Sequence, residues 1–98
     1  MSYSMEYSII LSQMTGLPIE DYQTSALQMK DLTRKALDLI PDVPATHWAK
    51  SLAKGNIRIF DGIANSEKKD DGETEELFRI LKEAQILMLK LALEKDPS

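Results

Sequence analysis

The sequence predicts an all-α protein: a small bundle of about four helices, with a helical-hairpin core, a short amino-terminal helix and a long carboxy-terminal one. Three observations lead there. Apolar residues recur at the helical period through four segments. Proline- and glycine-containing punctuation separates them at residues 15–18, 41–44 and 65–74. The one stretch with strand-like alternation, residues 56–60, has no second strand to pair with.

The first helix is expected over about residues 3–14. Tyr3, Tyr7, Ile10 and Met14 share one face and Leu11 widens it. Ser2 or Ser4 suits its start, and Gly16 followed by Pro18 suits its end.

The second helix is expected over about residues 19–40, on the stripe Ile19, Tyr22, Ala26, Met29, Thr33, Leu37, Ile40. Pro18 at a first helical position and the acidic pair Glu20-Asp21 favour this start. A capping box at Ser25 and Gln28 offers a later one, with residues 17–24 as connector; the longer helix is preferred.

Pro41 and Pro44 end that helix and reverse the chain. The third helix then covers about residues 45–65, its face marked by Trp48, Leu52, Gly55, Ile59 and Ile63 with Ile57 and Phe60 beside them. Gly55 and Gly62 each cost a helix about 1 kcal/mol against alanine, and a close helix–helix approach is their expected purpose. Asp70-Asp71-Gly72-Glu73 lacks the alternating ligands and distal glutamate of a calcium loop and is read as solvated.

The fourth helix is expected over about residues 73–95. Leu77, Ile80, Leu81, Ala84, Leu87, Met88 and Leu91 form its seam, and after Ala84 the helix is apolar nearly all round. Three partners in a domain this small cover such a helix only partly. Either this helix is simply the central element of the bundle, or a second copy of the chain covers it, the preferred reading, with Ile86, Leu89, Leu93 and Tyr3 at the oligomer interface.

The 98 residues are read as a single helical domain spanning 1–98. Folding at that size removes roughly 65% of the extended chain's surface from water, an adequate but thin core. With a net charge of −4 the chain is a poor DNA binder, since phosphate neutralisation supplies most of that affinity. It has no cysteine, which removes disulfides and thiol chemistry and suits a cytoplasmic setting. The start MSYSMEYSII lacks the basic region of a signal peptide, and the longest apolar run is too short to span a membrane.

No catalytic residue, metal site or cofactor site is assigned, and an enzyme is not expected. His47 is the lone histidine, with Ser51 a turn away but no orienting acid. Metal-ligand spacings and nucleotide-binding glycine loops are absent from the sequence. Lys50, Lys54 and Arg58 lie in one line along the third helix, and Lys30 and Arg34 pair on the second. If the hairpin brings them together, they and Tyr7 offer charge and stacking to a phosphorylated ligand.

The leading expectation is a non-enzymatic interaction protein (adaptor, inhibitor or complex subunit) that acts as a helical homo-oligomer, with itself and another protein as partners. The alternative is an oligomer that sequesters a nucleotide-like small molecule. Small helical phage anti-defence proteins are an analogy for that at the level of architecture alone.

Overall fold

A chain whose apolar residues return every three or four positions buries that stripe most cheaply as a helix. The computed structural model describes residues 2–41, 43–66 and 72–94 and has no strand among them. Four helices occupy most of these residues: α1 (Ser2–Thr15), α2 (Tyr22–Leu39), α3 (Pro44–Ala64) and α4 (Gly72–Glu94). Residues 56–60 are helical, inside α3, because the pairing that alternation requires has no second strand.

Local chemistry sets the boundaries. Helix α1 ends where the Gly16 amide donates to the Ser12 carbonyl at 3.2 Å. Helix α2 starts between the two expected points, with Asp21 as its cap residue. Ser25 is already inside that helix, and its hydroxyl donates to the Pro18 carbonyl at 2.6 Å, so the connector is pinned to the first turn. At the next reversal Pro44 occupies the opening of α3. The Thr46 hydroxyl reaches the Pro41 and Val43 carbonyls at 2.6 and 3.1 Å and ties the turn to the helix.

The contacts fix the directions of the helices. Lys30 meets Asp61 while Lys50 meets the Ile40 carbonyl, so α2 and α3 are antiparallel. Asn56 bonds Gln85 and Phe60 meets Phe78 edge-on, ring centroids 6.1 Å apart, so α3 and α4 are antiparallel as well. Lys82 holds carbonyls at the end of α1 and Leu89 holds Tyr7, so α1 is antiparallel to α4. Helix α1 packs on α2 and α4 and makes no packing contact with α3. The result is an up-down-up-down bundle with α2 and α4 parallel across its middle.

Tyr7, Met14, Met29, Phe60, Phe78 and Leu89 are the large side chains at its centre. Gln85 is wholly buried among them, receiving a hydrogen bond from Asn56 at 2.7 Å and giving one to the Thr33 hydroxyl at 3.2 Å. Among the described residues no buried side-chain polar atom lacks a partner, as a stable interior requires.

Three expectations about faces change. On α3 the inward residues are Thr46, Ala49, Ala53, Phe60 and Ile63, whereas Trp48, Leu52 and Ile59 are exposed. Ala49 and Ala53 are fully buried on the inward side. A Cβ placed on Gly55 or Gly62 would meet nothing within 4 Å, so neither glycine makes room for a neighbouring helix of this protomer. On α4 the core is built by Phe78, Lys82, Gln85, Ile86, Met88, Leu89 and Ala92, while Leu77, Ile80, Leu87 and Leu91 of the expected seam face outward.

Candidate functional site

Helix geometry puts the exposed apolar residues of α4 on one line. Leu77, Ile80, Ala84, Leu87 and Leu91 follow the alternating three-and-four spacing of a coiled-coil seam. Ile80 and Leu87 are more than half exposed, at 53% and 58%. A second line runs along α3 through Trp48, Leu52, Gly55, Ile59 and Gly62 with the same spacing.

Both lines lie on the same outer surface. On α3, Lys50 and Asp61 face α2, whereas Asn56 and Phe60 face α4. At 100° per residue the exposed α3 line lies about a quarter turn past the α4-facing side, away from α2. On α4, Lys82 and Leu89 meet α1 while Phe78 and Gln85 meet α3. Its exposed line falls beyond the α3-facing side. The two lines therefore flank the α3–α4 seam as one apolar face, about 20 Å long from Leu77 to Leu91.

Charges edge this face. On the outer border of α4, Arg79 is ion-paired with Glu76 and lies 3.8 Å from Glu83. The hydrogen bond and charge of Glu76 raise the affinity of the Arg79 guanidinium for its proton. On the outer border of α3 stands Arg58, which is exposed.

Two of the residues expected at an oligomer interface, Ile86 and Leu89, lie away from this face. Ile86 and Leu89 are buried in the protomer, Leu89 completely, because α1 and α2 close over that side of α4. The side chains of Tyr3 and Leu93 lie outside the described residues. Of the two apolar stripes on α4, the one with regular coiled-coil spacing is the exposed one, and Ile86 and Leu89 belong to the other.

The expected ligand constellation divides. Lys30 is in an ion pair with Asp61 at 2.8 Å, and Lys50 donates to the carbonyl end of α2 at 3.3 Å. The hydrogen bond and charge of Lys30, with a smaller contribution from Arg34, hold the Asp61 carboxyl below the ordinary carboxylate range. Arg34, Lys54 and Arg58 remain exposed. Tyr7 is 1% exposed and its hydroxyl donates to the Leu89 carbonyl at 2.6 Å, so neither ring face nor hydroxyl is open to a ligand. It stands on α1, which does not touch α3.

His47 and Ser51 are both at the surface. Among the described residues, no three of histidine, cysteine, aspartate and glutamate assemble where they could hold a metal ion. Residues 67–71, which include Asp70 and Asp71 of the loop considered for calcium, lie outside the described residues. A groove of about 320 Å³ between α1 and α2 is lined by Gln13, Leu17, Gln28, Asp31, Leu32 and Lys35, a mixed and open surface without a convergent set of reactive groups. No described helix is long and apolar enough to cross a membrane.

No protein-family model, curated protein or solved structure matches this chain.

Proposed function

We propose that the protein is a non-enzymatic interaction protein that works by docking its α3–α4 face, and that it self-associates through that face. One observation carries this reading: two seams of coiled-coil spacing, one on each helix, lie side by side in water. Packing among the described residues leaves their large side chains 37% to 58% exposed. Contiguous apolar surface of this kind marks a protein–protein contact.

The nucleotide-sequestering alternative is the weaker reading, since Tyr7, Lys30 and Lys50 are engaged in internal contacts. Adaptor, inhibitor and complex subunit are all uses of the same face.

Sedimentation velocity across a wide concentration range tests the proposal on the full chain and on an Ile80→Glu, Leu87→Glu variant. The wild type is expected to shift from monomer to a larger species, while the variant stays monomeric with the same helical circular dichroism. A wild type that remains monomeric at several hundred micromolar overturns self-association.

A further inference from the structure

Resting on that reading, we infer that the occupant of the face is a second copy of this chain, related by a two-fold axis running along the bundle. In this arrangement α4 of each protomer lies antiparallel on α3 of the other.

The register carries the argument. Within one protomer, Asn56 stands level with Gln85, and Phe60 with Phe78. On that scale each exposed position of α3 has an exposed position of α4 at its own height. Leu91 is level with Trp48, Leu87 with Leu52, Ala84 with Gly55, Ile80 with Ile59 and Leu77 with Gly62. A rotation about an axis parallel to the helices keeps every height. It therefore lays α4 on the partner's α3 with all five layers in step.

Both exposed glycines of α3 fall in these layers. Gly55 and Gly62, whose missing side chains leave space that this protomer does not use, would meet Ala84 and Leu77 of the other copy. Glycine inside a helix is costly, and a close approach between copies gives it a purpose. Charge selects the same axis. Arg58 is level with Glu83, and the rotation brings these opposite charges together at both rims. A two-fold perpendicular to the helices would instead stack α4 on α4, with Glu83 against Glu83 near the centre.

The area is adequate. The seven large apolar side chains of the face are 37% to 58% exposed. At roughly 200 Å² each, they leave on the order of 650 Å² in water, against the ~800 Å² per partner of a standard interface, and the charged rim supplies the remainder.

The absence of native cysteine makes disulfide trapping clean. Leu52→Cys and Leu87→Cys chains carrying tags of different size are mixed, equilibrated and oxidised, beside an Ala84→Cys chain alone. The expected product is the heterodimer that joins one Leu52→Cys chain to one Leu87→Cys chain, in excess over either homodimer. In parallel, Arg58→Glu and Glu83→Arg each weaken association about threefold to fivefold, as a rim pair should, and the two together restore it.

A dominant Ala84→Cys self-crosslink, or failure of the double charge reversal to restore association, overturns this geometry while leaving self-association standing. A wild-type chain that does not associate in the sedimentation experiment removes both. Circular dichroism on every variant separates loss of docking from loss of folding.

Discussion

At the scale of single residues, the interior is organised by polar groups that sequence patterning alone treats as surface. Gln85 and Lys82 interrupt the apolar stripe that faces inward on α4, and the uninterrupted stripe looked like the better core. Gln85 is nevertheless satisfied on both sides by Asn56 and Thr33. A buried amide with its partners is tolerated, and removing one partner costs about 1–3 kcal/mol. Tyr7 is a third such group, and its environment makes a pH prediction. Burial pushes its phenol above the ordinary tyrosine value of 10.0. The unfolded chain therefore gives up this proton first. Stability is unaffected below about pH 10 and falls as the pH rises from there towards the folded value. In a Tyr3→Phe, Tyr22→Phe chain, where Tyr7 is the sole tyrosine, tyrosinate absorbance is expected to appear together with loss of helical circular dichroism. Tyrosinate forming in a still-folded chain would contradict this. Tyr7→Phe should cost about 1 kcal/mol by denaturant titration and flatten the alkaline fall.

At the scale of the element, the helices and their order were legible in the sequence and the faces of two of them were not. Helices α1 and α2 carry a single stripe each, so their inward residues follow from periodicity; Tyr7, Ile10, Met14, Ala26 and Met29 are all buried. Helices α3 and α4 carry two stripes each. On α3 the large residues Trp48, Leu52 and Ile59 are expected inside, whereas Ala49 and Ala53 are the buried ones. The structure favours the alanines, because small residues let two helices come close. The same ambiguity put Ile86 and Leu89, which the protomer buries, among the residues expected to be left uncovered. Helix α1 shows how one polar residue can hold an element in place. The Lys82 ammonium donates to the Thr15 and Leu17 carbonyls at 3.0 and 2.7 Å, at the negative end of the α1 dipole. Lys82→Met keeps the apolar stem and removes these charge-assisted bonds, worth roughly 1.5–3 kcal/mol each at most. Hydrogen exchange read by mass spectrometry is expected to speed up in α1 well before α2 to α4. Uniform acceleration through all four helices would mean that α1 does not depend on this anchor.

At the scale of the whole molecule, the bundle separates what holds it together from what it offers to others. The core side chains face inward from all four helices, and the large apolar side chains of the α3–α4 face stand beside that core, 37% to 58% exposed. Changes at Ile80 and Leu87 should then act on association and leave the protomer intact. Melting curves distinguish this from a structural role. Association stabilises only the folded chain, by about 2.7 kcal/mol at a hundredfold above the dissociation constant, and 1 kcal/mol shifts the midpoint of a domain this size by roughly 4–8 °C. The wild-type midpoint is therefore expected to climb by about 10 °C or more from high dilution to high concentration. The Ile80→Glu, Leu87→Glu variant is expected to melt at one temperature throughout, equal to that of the dilute wild type. A variant that melts well below the dilute wild type would show that these side chains support the fold of the single chain, and the division between core and docking face would fail with it.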